Sequence, residues 1–110
     1  MMEAYRTAYV YVREVFAGEL KETDFGYSFK YNEEYLKRQD STAVSLTLPK
    51  REAEYTSNYL FSFFDGLIPE GWLLNVVTHN WKINQNDRFK ILLVACRDPI
   101  GNVSIKGAKE

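Results

Sequence analysis

A tripeptide, a histidine and a cysteine are the residues of this chain whose types could carry chemistry on their own. Asp24-Phe25-Gly26 has the order of the magnesium-binding motif of protein kinases. It sits between two strand-like runs, where Asp and Gly are ordinary turn residues. No glycine-rich loop, strand lysine in the expected context or His-Arg-Asp loop accompanies it, and 110 residues is far shorter than a kinase domain. The tripeptide is therefore read as a turn. His79 is the single histidine, and no serine or cysteine with motif context stands beside it to make it a general base. One His and one Cys also fall short of a structural zinc set. Cys96 closes an apolar segment and reads as a small buried hydrophobe. Glu33, Glu34, Glu52 and Glu54 lie on polar stretches and read as solvated surface. No catalytic residue, metal ligand or cofactor is assigned.

The informative stretch is Phe63-Phe64-Asp65-Gly66-Leu67-Ile68-Pro69-Glu70-Gly71-Trp72. Gly66 suits a backbone conformation that other residues avoid. Pro69 is well placed in the first turn of a helix. Glu70 in that same turn is favourable against the helix dipole. The segment reads as a helix end, a sharp corner and a new helix. So much apolar surface at a corner is either a core joint or a docking surface. Trp72 is open to the same two readings, a core residue or an interface anchor. Gly71 beside it costs a helix about 1 kcal/mol relative to Ala, which makes sense if something approaches the backbone closely.

The elements around this corner follow from periodicity. Tyr5 to Phe16 is rich in β-branched and aromatic residues and reads as a strand with the turn out of it. Ala17-Gly18-Glu19-Leu20 suits a hairpin return, and Phe25 to Tyr31 alternates with period two. Asn32 fits the cap of a short helix through Arg38. Val44, Leu46 and Leu48 alternate up to Pro49, and 50–57 reads as a polar loop. From Asn58 the spacing turns helical, with Ser57 or Asn58 as cap and Leu60, Phe63, Phe64 and Leu67 on one side. A second helix is expected from Pro69 to about Trp81. A third is expected over about Asp87 to Cys96, capped by Asn84 or Asn86. After a turn at Asp98-Pro99-Ile100-Gly101, residues 102–106 form a last strand able to rejoin the sheet. The expectation is a single α+β domain over 1–110, with a small antiparallel sheet, about three helices and a closing strand.

Composition narrows the function classes. Hydrophobic residues make up 45% and charged residues 26% of the chain, as in ordinary soluble domains. The net charge of -1, with no basic run, argues against direct nucleic-acid binding. A single cysteine allows no internal disulfide and fits a reducing compartment. No stretch resembles a signal peptide or reaches the roughly 20 apolar residues of a membrane span. A cytoplasmic location is expected.

Taken in order, these segments resemble the N-terminal subdomain of HipA-type serine/threonine kinase toxins, a subdomain that also exists as the free-standing HipS protein of HipBST toxin–antitoxin systems. Tyr9-Val10-Tyr11-Val12 followed by Ala17-Gly18-Glu19-Leu20 is similar to the family's opening hairpin. Phe25 to Tyr31 matches its aromatic strand, and Val44-Ser45-Leu46-Thr47-Leu48-Pro49 resembles its Ser-Leu-Ser-Leu-Pro strand. The Phe63–Trp72 corner resembles its Phe-Phe-(Asp/Glu)-Asn-Leu-Leu-Pro-Glu-Gly signature, the most specific part. Arg97-Asp98-Pro99-Ile100-Gly101-Asn102-Val103 parallels its Gly-Arg-Asp-x-x-Gly-Ala-Val. The likeness spans about residues 7 to 106. Gly66 replaces the usual Asn, and Cys96 stands where Gly is common.

The resemblance implies a non-catalytic subunit, since the family's ATP-binding and catalytic residues lie beyond this subdomain, past the point where the chain stops at Glu110. It implies an antitoxin that docks on and inhibits a HipT- or HipA-like kinase. A HipB-like helix-turn-helix protein in the same complex would supply DNA binding. The partner-binding residues expected are Phe64, Asp65, Leu67, Ile68, Pro69, Glu70, Gly71 and Trp72. The competing expectation is a structural accessory that completes or bridges the kinase complex without inhibiting it.

Overall fold

Aromatic and β-branched residues pair the first third of the chain into an antiparallel meander. A computed structural model describes residues 5–68, 74–75, 79–80, 82–84, 86–96 and 102–107. Strand β1 (Thr7–Val12) passes into β2 (Val15–Thr23) through Arg13-Glu14. Both linking residues have positive φ, 49° and 65°, the mirror-image turn whose twist suits paired strands. The hairpin return is thus not at Ala17-Gly18-Glu19-Leu20, which lies inside β2. Gly18 has another role there. A Cβ on it would come 2.5 Å from the Lys30 carbonyl oxygen and 3.0 Å from the Phe29 ring. Glycine is what lets the ring lie across this strand.

Strand β3 (Gly26–Tyr31) follows the Asp24-Phe25 turn. Two strands then complete the sheet from a distance. β4 (Tyr55–Ser57) pairs with β3, and β5 (Val103–Lys106) pairs with β1. The order is β4-β3-β2-β1-β5, antiparallel throughout. The closing strand rejoins the sheet as its sequence suggests. β4, by contrast, lies in the stretch that reads as a polar loop. Only three residues long, it is too short to show a period.

Helix α1 (Glu33–Lys37) starts after Asn32 and carries Glu33 and Glu34 in its first turn and Lys37 at its end, each matching the dipole. Asn32 is the cap residue, although its side chain makes no capping hydrogen bond. The expected alternation at Val44, Leu46 and Leu48 is not a strand. Ser45 bridges to Leu48 across a tight turn. Val44 and Leu48 are buried, while Leu46 at the tip is 98% exposed. Tyr31 explains the shape, because its buried hydroxyl donates to the Leu48 carbonyl and accepts from Val44 N–H. Tyr35 grips the loop one step earlier, donating to the Thr42 carbonyl at 2.7 Å. Burial pushes the Tyr31 phenol up to about 12, so it holds the loop as a neutral donor.

Helices α2 (Ser62–Asp65) and α3 (Arg88–Ala95) cover one face of the sheet. The cap of α2 is Phe61 rather than Ser57 or Asn58, because β4 already occupies Tyr55 to Ser57. The cap of α3 is Asp87, whose carboxylate accepts from Lys90 N–H. Asn84 instead accepts from Asn86 N–H in the turn before it. Residues 74–75 and 79–80 are helical, inside the span expected as the helix from Pro69 to Trp81. The rest of that span and the turn at 98–101 lie outside the described residues. Under the helices, Val10, Leu20 and Phe29 from the sheet meet Phe64, Ile91 and Leu92 in one core. No described helix is long and apolar enough to cross a membrane.

One ion cluster ties the first described residues to this frame. Arg6 grips Glu22 on β2 with both ends of its guanidinium, at 2.8 and 2.9 Å, and reaches Asp87 at 2.9 and 3.1 Å. It also lies over the Phe89 ring. Hydrogen bonds from Arg6 hold both carboxylates below their ordinary values of 4.5 for Glu22 and 3.8 for Asp87. Their folded values are depressed, so the stabilisation is fully present above those ordinary values. It is lost as pH falls from about 4.5 through the depressed titrations. The groups are about a third exposed, which holds the contribution to about 1 kcal/mol. Arg6→Ala is expected to lower stability by about that amount at pH 7 and to flatten the acid limb of a pH–stability curve followed by urea unfolding.

Candidate functional site

The corner after α2 is built on a tightening helix. Asp65 and Gly66 make bonds back to Phe61 and Ser62, then Leu67 and Ile68 bond only three residues back, to Phe64 and Asp65. Gly66 sits in ordinary right-handed helical conformation, with φ -68° and ψ -15°. The expectation of an unusual backbone at Gly66 is therefore corrected. Because the turn winds up by hydrogen bonds that reach only three residues back, no left-handed residue is needed. The position is compatible with the asparagine of the resembling signature.

The corner's apolar residues divide by face. Phe64 is 0% exposed, and its ring packs on Phe29 at 5.6 Å, Phe63 at 5.3 Å and Phe61 at 6.3 Å. Ile68 is buried in the same core, while Phe63 and Leu67 pack against it half-buried. Phe64 and Ile68 thus anchor the corner from beneath. Asp65 and Leu67 are the expected site residues that reach the surface. Asp65 pairs with Arg88 at the start of α3, 2.8 Å apart, with both side chains more than a third exposed. Arg88 is part of this surface although nothing in the sequence pointed to it. It lies 23 residues from Asp65, and only the fold brings them together. The other expected site residues, Pro69, Glu70, Gly71 and Trp72, lie outside the described residues.

Below the corner, Cys96 is buried, and its thiol donates weakly to the Leu67 carbonyl at 3.6 Å. Burial pushes that thiol up to about 11, far from the thiolate a nucleophile needs. Its carbonyl accepts from Ile105 N–H at 2.7 Å. Cys96 therefore stitches the corner to α3 and β5. The histidine is exposed, and its carbonyl accepts from Lys82 N–H. Asp24-Phe25-Gly26 is a turn, as its residue types suggest. Asp24 accepts from the Tyr5 hydroxyl, and Phe25 points into solvent, 84% exposed. Among the described residues, no group of His, Cys, Asp and Glu is arranged to hold a metal ion. The described part of the corner is an apolar base carrying an acid–base pair and a half-buried leucine at its rim.

Comparison with known proteins gives a consistent picture. The sequence profile of the family described as the HipA N-terminal domain matches residues 8–106. An uncharacterised protein of Haemophilus influenzae (strain Rd) is 31% identical over 110 residues, with both chains covered completely. Among solved structures, the N-terminal domain of HipA toxin superposes with a TM-score of 0.69 at 25% identity, covering 100% of this chain and 99% of that one.

Proposed function

The chain belongs to the HipA N-terminal domain family, and from that premise we propose that it is a non-catalytic antitoxin of the HipS kind, binding and restraining a HipT- or HipA-like serine/threonine kinase. The observation that carries this reading is coverage. The likeness to the toxin's N-terminal domain takes in 100% of this chain and 99% of that domain. Such a chain has the shape of the part a kinase would receive, in a cytoplasmic complex where a HipB-like helix-turn-helix protein contacts DNA. The net charge of -1 fits leaving DNA to that partner. The kinase is met by the corner from Phe64 to Trp72. Phe64 and Ile68 hold its shape from inside, Asp65 and Leu67 stand at its rim, and Pro69, Glu70, Gly71 and Trp72 extend it, with Trp72 as the anchor.

The test is growth of cells expressing such a kinase together with this protein. Wild type is expected to rescue growth. A central tryptophan cut to alanine often costs 2 kcal/mol or more of binding, about 30-fold in affinity, so Trp72→Ala is expected to lose the rescue. Full rescue by a folded Trp72→Ala would remove the anchor assignment. One observation favours a second reading, a structural accessory that completes or bridges the complex without inhibiting it. Phe64 and Ile68 spend their apolar surface on the chain's own core. In that case kinase activity is unchanged or raised by the protein.

A further inference from the structure

The sheet face turned away from α2 and α3 carries an acidic cavity. We propose that it receives an arginine side chain from a partner protein. The proposal does not rest on the corner, which packs on Phe29, whereas this cavity opens beside the neighbouring residues Ser28 and Lys30 on the other face. The space is about 480 Å³, walled by β2, β3, the start of α1 and Glu54. Its lining carries four glutamates, Glu19, Glu33, Glu34 and Glu54, against two lysines, Lys21 and Lys30. Both lysines are engaged. Lys21 lies 3.3 Å from Glu19, and Lys30 donates to the Glu52 carbonyl. Glu33, Glu34 and Glu54 have no ion-pair partner among the described residues. Four carboxylates against two ammonium groups therefore leave the lining with an excess of negative charge.

Ser28 is the independent sign of a ligand. It is 3% exposed, yet its hydroxyl makes no side-chain hydrogen bond among the described residues. Among the described residues, no fully buried side-chain oxygen or nitrogen lacks a partner, so this hydroxyl keeps access to the cavity that Ser28 lines. A nearly buried hydroxyl left unmatched in the free protein is a waiting acceptor. Phe16 supplies an aromatic wall, itself braced by Tyr9 and Tyr11. Carboxylates at the rim, an aromatic wall and an acceptor within are the surroundings a planar guanidinium uses best. It can stack and bond in several directions at once, where an ammonium acts as a point charge.

The probe is N-acetyl-arginine amide, titrated at low salt into the 15N-labelled protein, with the neutral N-acetyl-citrulline amide as control. Saturable shifts are expected at Phe16, Ser28 and Glu33, in the millimolar range, and none with citrulline. Glu33→Gln combined with Glu54→Gln is expected to weaken binding at least about fivefold, two partly exposed ion pairs being removed. Ser28→Ala is expected to weaken it while leaving the rest of the spectrum in place. The glutamates are exposed and unpaired, so their replacement does not threaten the fold. Equal shifts with citrulline, shifts spread evenly over the acidic surface, or full binding by the double variant would overturn the proposal.

Discussion

Phe64→Ala is expected to destabilise the protein by about 3–5 kcal/mol. Phe64 is 0% exposed, and its ring touches three other phenylalanines, among them Phe29 on β3. Truncation removes the burial of the ring and leaves a hole lined by rigid aromatic neighbours. The sheet below is fixed by its ladder, and α2 is only four residues long, so little can collapse into the gap. Domains of this size hold about 5–15 kcal/mol in total, which makes the loss a large share. Urea unfolding reads it directly. With a slope of about 1–3 kcal/mol per molar, the midpoint is expected to fall by more than about 1 M. A shift within experimental error would mean that Phe64 does not carry the core contact between α2 and the sheet.

Gly26→Ala is expected to cost about 3 kcal/mol, by a different route. Gly26 has φ +147°, a conformation in effect reserved for glycine, with a strain cost of about 1–3 kcal/mol for another residue. A Cβ there would also lie 2.2 Å from the Ser57 carbonyl oxygen and 2.7 Å from the Asn58 Cα. Both obstacles are backbone and cannot swing aside, so β4 must move off β3. The pairs Tyr27 with Ser57 and Phe29 with Tyr55 are then lost from the sheet edge. Urea unfolding gives the total cost. Amide exchange at Tyr55 and Ser57 is expected to lose protection first, ahead of β1 and β2. Retained protection there would place the cost elsewhere.

The same two residues mark what the sequence could and could not reveal. The strands β1 and β3, the helix after Asn32, the helix ending near Cys96 and the closing strand at 103–106 each carry a local period or cap, and each was legible, whereas β2 was divided between the first strand and an expected hairpin return. The β1–β2 turn was not. Arg13 and Glu14 both take positive φ without the glycine or asparagine that advertises such a turn, whereas Gly18 advertises one and serves packing instead. β4 exists because Gly26 lets Ser57 come close, a tertiary fact that no alternation within Tyr55–Ser57 could report. The loop at Val44–Leu48 alternates as a strand would, but the Tyr31 hydroxyl folds it into a turn.

Within the expected corner, the helix end near Gly66 was legible, because the helical spacing of Phe63, Phe64 and Leu67 stops there. The corner's division into faces was not. Whether Phe64 looks inward depends on Phe29, and whether Asp65 has a partner depends on Arg88, 23 residues away. The acidic cavity was invisible for the same reason. Glu33, Glu34 and Glu54 read singly as solvated surface and Glu19 as part of a hairpin return, and only the β2–β3 pairing and the placement of α1 bring them around Ser28.

Restraint of a kinase can be measured directly. A purified HipA-like serine/threonine kinase lacking this domain, incubated with ATP and substrate, is titrated with this protein, and the phosphorylation rate is followed. A saturable fall in rate towards zero is the predicted result. A rate that stays constant or rises across the titration would contradict the antitoxin reading.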